Sequence, residues 1–297
     1  MTSSRNGILY NDIISLRKMP ETPLDLIVQS LRNELPKELI EYLPTKWEKV
    51  GNVLIVKLHP NLASYQELIG KTYAEILQCK TVLQDRGSIL GTFREPDVSI
   101  MYGPKDTETI HKENGIRFKL DPQKIMFSSG NMDERIRMGR IATHDEVIVD
   151  LFAGIGYFTL PIAVHSKPKK IYACEINKVA YDYLCQNIVL NNVTSIVEPL
   201  SGDNRKTSPK NVANRVIMGY LTDTYDFLPT AIKCLQNHTG IIHYHEVCPN
   251  ELIPDRPLEK TKEIAKKHGR KIKLLKNTHV KSYAPGVSHI VLDLKVE

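Results

Sequence analysis

The sequence predicts an α/β protein with a doubly wound, mostly parallel sheet, preceded by a small α+β domain. Two observations support this prediction. Short apolar runs alternate with helical stretches through the C-terminal part of the chain, and a glycine turn follows the first of these runs. Apolar runs of this kind are typical of strands that are buried on both faces of a parallel sheet.

The strands of this sheet are predicted from seven apolar runs that begin beyond about Phe127. These runs are Val147–Leu151, Lys170–Cys174, Ser195–Leu200, Arg215–Met218, Gly240–His245, Lys271–Leu275 and Ile290–Leu294. In an open parallel sheet, ligands bind at the carboxyl ends of the strands, so we expect the functional residues there.

The N-terminal part of the chain is more mixed. Val53–Val56 resembles a strand, Ala63–Cys79 a helix and Val98–Tyr102 a second strand, while Asn114-Gly115 predicts a tight hairpin before Ile116–Leu120. The predicted domains are a helical lead-in over 1–45, a small α+β domain over 46–122 and a larger ligand-binding domain over 123–297.

Composition describes an ordinary globular protein, since 41% of the 297 residues are hydrophobic and 25% are charged. No apolar run is long enough for a membrane span and the first residues lack a secretory signal, so we expect a cytoplasmic protein. The five cysteines are odd in number and have no C-x-x-C spacing, which predicts neither disulfides nor a zinc site. We expect them to be buried as small apolar residues.

The net charge of +6 is unevenly distributed, because nine residues from Lys260 to Lys281 are Lys or Arg and Glu263 is the only acid among them. Such a run favours a polyanionic partner such as a nucleic acid. The alternative is a solvated helix face, since lysine-rich exposed helices are common.

A nucleoside site is predicted where the first strands of the sheet end. Asp150 closes the first strand, Gly154 and Gly156 form the turn after it, and Glu175 ends the second strand 19 positions later. An acid at that position accepts hydrogen bonds from ribose hydroxyls. A dinucleotide site would have a third glycine where this chain has Thr159.

The third strand is followed by Asp203 and Asn204, where a carboxylate and the next backbone amide could contact adenine. Together these elements predict an adenosine site without a pyrophosphate site, which fits S-adenosylmethionine better than NAD or FAD. The alternative is that Asp150 and Asp203 simply end strands and cap helices.

Several segments of this chain resemble a known pair of enzyme groups. They are Phe127–Asn131 with Glu134–Arg137, Asp150–Pro161, Ala173–Asn177, Tyr244–Glu246 and Lys281–Gly286. From about Trp47 to the C-terminus the chain resembles the tRNA guanine-37 N1-methyltransferases and their paralogues, the tRNA wybutosine-synthesising protein 2 enzymes. The resemblance implies a Rossmann-like class I methyltransferase fold.

The resemblance also implies a set of S-adenosylmethionine contacts. Ser128 and Arg135 would lie near its methionine end, Glu175 at the ribose, and Asp203 with Asn204 at the adenine. Taken without the resemblance, Ser128 would be a helix cap and Arg135 a surface residue paired with a neighbouring acid.

Two segments favour the wybutosine branch over the methyltransferases. Ser129-Gly130-Asn131 resembles the wybutosine branch, and Met218-Gly219-Tyr220-Leu221 lacks the Asn-Leu-Pro type motif by which the methyltransferases contact guanine. Gly219 removes that amide and would leave room for a tricyclic base. We expect the substrate to contact Asn131, Gly219, Tyr220 and the aromatic ring of Tyr283, which lies in a predicted turn.

The resemblance implies transfer of the 3-amino-3-carboxypropyl group to C7 of 4-demethylwyosine at position 37 of tRNA(Phe), without a metal. It also assigns tRNA contact to the domain over 46–122 and catalysis to the domain over 123–297. We expect a monomer. The alternatives are guanine-37 N1-methylation and a non-catalytic RNA-binding protein. His245 or Glu246 is a candidate for assisting loss of the substrate proton. The segment His243–Glu246 could also be interpreted as a metal site, but an alternately buried strand is the favoured interpretation.

Overall fold

The computed structural model describes residues 21–90 and 95–297 of the chain, and the first 20 residues of the predicted lead-in lie outside this part. The N-terminal unit contains α1 (Pro23–Leu31), β1 (Trp47–Val50), β2 (Val53–Val56), α2 (Gln66–Leu77), β3 (Thr81–Leu90) and β4 (Glu95–Tyr102). Its four strands form a sheet in the order β1-β2-β3-β4, in which only β2 and β3 run parallel.

The predicted lead-in packs as part of this unit. Helix α1 begins with Thr22, which caps it in a capping box with Asp25. Its buried residues Ile27 and Leu31 share an apolar cluster with Leu54 on β2 and with Tyr73 on α2. The helix therefore covers the sheet and is not a separate segment.

The hairpin of β5 (Thr109–Glu113) and β6 (Ile116–Leu120) turns at Asn114 and Gly115, which confirms the predicted tight turn. The hairpin packs against the C-terminal unit, because Phe118 lies in the same buried cluster as Ile148. The hairpin also contacts the N-terminal unit, because the Asn52 amide donates a 3.1 Å hydrogen bond to Thr109 Oγ1. Its assignment to the domain over 46–122 stays a prediction.

The C-terminal unit is the predicted seven-stranded sheet, in the order β12-β13-β11-β10-β7-β8-β9. Its strands are β7 (Val147–Asp150), β8 (Lys170–Glu175), β9 (Val197–Ser201), β10 (Arg215–Met218), β11 (Gly240–Pro249), β12 (Ile272–Ala284) and β13 (Val287–Val296). Strands β9, β8, β7, β10 and β11 are parallel neighbours, and β13 runs antiparallel to both β11 and β12. The predicted fold class is confirmed.

The helices of this unit are α3 (Met132–Met138), α4 (Thr159–Pro161), α5 (Lys178–Leu190), α6 (Asn204–Thr207), α7 (Leu228–Cys234) and α8 (Asp255–Lys267). Two buried clusters cover the two faces of the sheet, one around Ile148, Ile171 and Leu184 and the other around Val149, Val216 and Leu292. Among the described residues, no helix is both long and apolar enough to cross a membrane.

The cysteines are free, as predicted. Cys174, Cys234 and Cys248 are buried, while Cys79 and Cys185 are half-buried. Cys174 and Cys234 lie in the interior of the C-terminal unit, where burial raises the pKa of the Cys174 thiol to about 12 and keeps it protonated.

Candidate active site

The turn after β7 depends on its two glycines. Gly154 has φ +57° and Gly156 has φ +104°, which are backbone conformations that favour glycine. A Cβ atom on Gly154 would lie 2.6 Å from the ring of Tyr157, and one on Gly156 would lie 2.6 Å from the side chain of Leu160. The two glycines therefore let the turn pack closely against Tyr157 and Leu160, and the approach of a ligand to its backbone stays a prediction.

Asp150 supports this turn through hydrogen bonds. Its carboxylate is fully buried and accepts hydrogen bonds from the Phe152 amide at 3.2 Å and from the Thr159 hydroxyl at 2.8 Å. Burial raises the pKa of Asp150 to about 6, against the effect of these two hydrogen bonds. The structure gives Asp150 a supporting role, and its contact with a cofactor stays a prediction.

Glu175 joins the end of β8 to the glycine turn. Its Oε2 accepts a 2.7 Å hydrogen bond from the Gly154 amide, and its Oε1 accepts one of 2.7 Å from the Asn177 amide. Burial raises the pKa of Glu175 above its ordinary value, although these amides act in the opposite direction. Each oxygen retains a second lone pair, so the carboxylate can still accept hydrogen bonds from a diol.

Asp203 and Asn204 lie at the end of β9. Asp203 caps α6 and forms an ion pair of 2.6 Å with Arg205, whose hydrogen bond lowers the pKa of Asp203. Asn204 donates a 2.8 Å hydrogen bond to the Leu151 carbonyl and so ties the exit of β9 to that of β7. Its buried Oδ1 has no hydrogen-bond partner in the described part of the chain.

Arg135 is almost completely buried, with only 2% of its surface exposed. Its guanidinium forms two hydrogen bonds of 2.6 Å with the carboxylate of Glu113 and donates a third, of 2.9 Å, to the Ser128 carbonyl. It also lies 4.7 Å above the centre of the Phe127 ring. Arg135 thus holds the Ser128 backbone in place from the interior, and its own contact with a methionine group stays a prediction.

The Ser128 hydroxyl is hydrogen-bonded to a second part of the chain. Lys281 on β12 donates a 2.6 Å hydrogen bond from Nζ to Ser128 Oγ. The Ser129 amide, one residue further, donates a 2.8 Å hydrogen bond to Glu48 of the N-terminal unit. Asn131, at the end of the same turn, has a buried Oδ1 without a partner among the described residues.

Gly219 lies directly after β10, and the space beside it is already occupied. A Cβ atom at this position would lie 2.8 Å from Cε2 of Phe158. The lack of a side chain therefore makes room for a ring of the protein itself, a contact that the sequence does not reveal. The next residue, Tyr220, stacks on Phe152 with ring centres 5.1 Å apart.

The prediction that His243–Glu246 alternates in burial is wrong, because all four residues are buried. β11 is an inner strand of the sheet, and an apolar cluster covers each of its faces. Tyr244 packs in one cluster, and His245 packs against the Phe158 ring of the other at 5.0 Å. Alternating burial is typical of strands that have one face exposed to solvent.

Neither candidate proton acceptor is open to solvent. Burial lowers the pKa of His245 well below its usual value, so the ring is neutral, and its Nδ1 lies 3.1 Å from His289 Nε2. The Glu246 carboxylate accepts hydrogen bonds from the Tyr244 hydroxyl at 2.6 Å and from Arg256 at 2.7 Å. Both residues are thus part of the packed interior around β11.

His243 does not support the metal interpretation of this segment. Its Nδ1 lies 2.6 Å from Asp293 Oδ1 and its Nε2 lies 2.9 Å from an Arg215 guanidinium nitrogen, so both ring nitrogens have protein partners. Across residues 21–90 and 95–297, no group of three His, Cys, Asp or Glu side chains is arranged to hold a metal ion.

Tyr283 lies within β12, one residue before the strand ends, and the turn itself is formed by Pro285 and Gly286. The turn is therefore where the sequence predicts it, but Tyr283 is a strand residue. Its side chain is 48% exposed and available to a ligand.

The strand ends together fit an adenosyl ligand. Gly154 and Glu175 are hydrogen-bonded to each other, and Asn204 is tied to the backbone directly before that turn. A carboxylate, a glycine turn and a third strand end therefore meet at one edge of the sheet, where sheets of this kind bind their ligands. Sequence reasoning missed Glu113 and Lys281, because nothing local marks either as a partner.

Comparisons with known proteins agree with this geometry. Residues 109–274 match the TRM5/TYW2 methyltransferase domain, and residues 27–107 match the TYW2 N-terminal domain. A relative from Pyrococcus horikoshii, named tRNA(Phe) (4-demethylwyosine(37)-C(7)) aminocarboxypropyltransferase, is 45% identical over 270 residues, which cover 91% of this chain and 96% of that protein.

Two solved structures share the fold. The crystal structure of P. horikoshii TYW2 in complex with MeSAdo has a TM-score of 0.83 and 43% identity, covering 91% of this chain and 97% of that one. The M. jannaschii TYW2 structure in complex with AdoMet has a TM-score of 0.70 and 43% identity, covering 85% and 99%. The matched domains span most of the described residues, and we conclude that this chain belongs to the TRM5/TYW2 family.

Proposed function

We propose that this protein transfers the 3-amino-3-carboxypropyl group of S-adenosylmethionine to C7 of 4-demethylwyosine at position 37 of tRNA(Phe), as a step in making wybutosine derivatives. The observation that supports the proposal is the hydrogen bond between Glu175 and the Gly154 amide, which brings two residues of the proposed nucleoside site together at the sheet edge. A relative 45% identical to this chain bears the name of this activity.

Within this site each residue has an assigned task. Glu175 accepts hydrogen bonds from the ribose hydroxyls, Asp203 and the Asn204 amide contact the adenine, and Gly154 with Gly156 lets the ligand approach the backbone. Ser128 contacts the methionine arm, and Arg135 positions Ser128 through its carbonyl. Gly219, Tyr220 and Tyr283 face the base and its neighbouring nucleotides, and Asn131 faces the arm that is transferred to the base.

S-adenosylmethionine supplies a sulfonium whose carbon–sulfur bonds break with a neutral thioether as the leaving group. In the proposed reaction, C7 of the base forms a bond to the γ-carbon of the amino acid arm, the bond from that carbon to sulfur breaks, and 5′-methylthioadenosine leaves. The residues around Ser128 decide which carbon faces the base. Holding reactants in line in this way supplies a large share of the rate enhancement.

The proton on C7 must leave after the new bond forms. His245 is 1% exposed and packs behind Phe158, and both carboxylate oxygens of Glu246 are occupied by protein donors. We therefore assign these two residues to the packing of β11 and infer that the proton passes to water. Formation of the new bond leaves a positive charge in the ring next to C7. This charge makes the proton on C7 acidic, so a strong base is not required.

Two other functions make different predictions. A guanine-37 N1-methyltransferase would release S-adenosylhomocysteine, but the match of residues 27–107 to the TYW2 N-terminal domain favours the wybutosine branch. A non-catalytic RNA-binding protein would bind tRNA in a salt-sensitive way without affinity for S-adenosylmethionine.

The test is product analysis with tRNA(Phe) that carries 4-demethylwyosine. We expect 5′-methylthioadenosine to accumulate in step with modified tRNA, and tRNA that lacks the tricyclic base to give no product. Release of S-adenosylhomocysteine alone would identify a methyltransferase, and the absence of both products would favour the non-catalytic alternative.

A further inference from the structure

The hydrogen bond from Lys281 Nζ to Ser128 Oγ brings together two residues that are 153 positions apart in the chain. Lys281 comes from β12, the edge strand of the large sheet, and Ser128 precedes α3. The ammonium group of Lys281 therefore lies at the residue proposed to contact the methionine arm.

The backbone of β12 directs this side chain inward. The pairing of β12 with β13 shifts register between His279 and Lys281 and again between Ser282 and Ala284, so irregularities flank Lys281 on both sides. A β-bulge changes the direction in which a side chain points, and bulges are common beside active sites. Lys273 and Lys276, further back on the same strand, are exposed, whereas Lys281 is half-buried.

The turn after Ser128 leaves space for the lysine stem. A Cβ atom on Gly130 would lie 3.3 Å from Cδ of Lys281, which is a tight contact, and 3.6 Å from its Nζ. The next residue is Asn131, whose buried Oδ1 lacks a partner among the described residues. The turn thus contributes a hydroxyl and an acceptor without a donor, and Lys281 of β12 adds an ammonium group that contacts the hydroxyl.

These three groups complement the end of an amino acid. A carboxylate accepts hydrogen bonds from an ammonium and a hydroxyl, and an α-ammonium donates to an amide oxygen; bonds to charged groups are the stronger ones. We propose that Lys281, together with Ser128, binds the carboxylate of the 3-amino-3-carboxypropyl arm, and that Asn131 Oδ1 accepts from its α-ammonium group.

This inference deepens the proposed function and depends on it, because it names the subsite that recognises the transferred group. Anchoring the far end of the arm fixes its γ-carbon relative to the base. A purely structural lysine would instead only tie the β12–β13 hairpin to the Ser128 turn. The two roles differ in what they predict for a ligand without the arm.

Calorimetric titration with S-adenosylmethionine and with 5′-methylthioadenosine, which lacks the arm, separates these roles. For Lys281→Met we expect S-adenosylmethionine affinity to fall about 10- to 100-fold, the range of one lost hydrogen bond to a charged group, and 5′-methylthioadenosine affinity to stay unchanged. Lys281→Arg keeps the charge and should recover part of the loss. Lys295→Met, in β13 of the same hairpin, is the matched control and should bind both ligands as the wild type does.

Unchanged affinity of Lys281→Met for 5′-methylthioadenosine also shows that its site is folded. Equal losses for both ligands, or no loss for either, would overturn the role of Lys281 while the proposed function stands. A wild-type protein that binds neither ligand would overturn the proposed function and this inference with it.

Discussion

The carboxylate of Glu175 accepts a hydrogen bond of 2.7 Å from the backbone amide of Gly154, 21 residues earlier in the chain. This contact links the end of β8 to the turn after β7. One residue thereby shapes the turn and, in the proposed site, also binds the ribose. Its removal should affect ligand binding more than removal of any exposed acid on the same sheet.

Glu175→Ala should weaken S-adenosylmethionine binding by about 100-fold or more, because two hydrogen bonds to a charged group each contribute roughly 1.5–3 kcal/mol. Glu198→Ala, which removes an exposed carboxylate from neighbouring β9, is the control and should bind normally. Calorimetry measures both. Retained affinity in Glu175→Ala would refute the assignment of the ribose site.

The buried pair of Arg135 and Glu113 should make stability depend on acid pH. Burial would raise the pKa of Glu113, but hydrogen bonds from Arg135 and His111 and the charges of both outweigh it and lower the pKa to about 2. A carboxyl group with a lowered pKa in the folded state stabilises the fold fully above its ordinary pKa of 4.5. That contribution is lost as the pH falls from about 4.5 to about 2.

We therefore expect the free energy of unfolding, measured with urea, to fall less for Glu113→Gln than for the wild type as the pH drops through this range. At neutral pH the variant should be less stable by about 3–5 kcal/mol, because it leaves the Arg135 charge buried without its partner. Asp182→Asn, which breaks the exposed pair with Lys178, is the control and should leave stability almost unchanged. Parallel pH profiles for wild type and Glu113→Gln would contradict this account.

Gly219→Ala should lower the melting temperature, since the new methyl group would start 2.8 Å from the Phe158 ring. Overpacking of this kind costs about 1–3 kcal/mol. Combining it with Phe158→Leu should make the second substitution less harmful than it is alone, so the two effects should not add. Additive effects in this double-mutant cycle would show that the contact is unimportant.

The lysines at the start of β12 should contribute to tRNA binding. Lys271, Lys273 and Lys276 are exposed on or beside the edge strand that leads to Lys281. Replacing all three by alanine should weaken tRNA binding and reduce the slope of log affinity against log salt by roughly 0.7–0.9 for each phosphate that the protein no longer neutralises. S-adenosylmethionine affinity should not change.

Lys169→Ala is the control for this experiment, because Lys169 is exposed just before β8, at the opposite edge of the sheet from the site. A salt-series binding assay measures the slope for both variants. The same slope in the triple variant and the control would place the RNA on another surface.

Much of the fold was predictable because its physical cause is local. Strands β7, β8 and β10 are covered on both faces, so they appear in the sequence as continuous apolar runs. The second half of β12 was missed, since an exposed edge strand with Asn277, His279 and Lys281 has no such run.

The candidate site also contains features that the sequence predicts and features that it does not. The grouping of Gly154, Glu175 and Asp203 was predictable because the carboxyl ends of parallel strands meet at one edge of the sheet, while their contact with a ligand stays a prediction. By contrast, the partners of Arg135 and Ser128 depend on tertiary packing. Nothing local in the sequence pairs Arg135 with Glu113 or Ser128 with Lys281, and only the fold brings them together.

The most direct test of the central claim is the fate of two labels in S-adenosylmethionine during a reaction with tRNA(Phe) that carries 4-demethylwyosine. One label lies in the carboxyl carbon of the amino acid arm and the other in the methyl group. We predict that the carboxyl label enters the tRNA and the methyl label leaves with 5′-methylthioadenosine. Entry of the methyl label into the tRNA, with the carboxyl label in S-adenosylhomocysteine, would contradict the account.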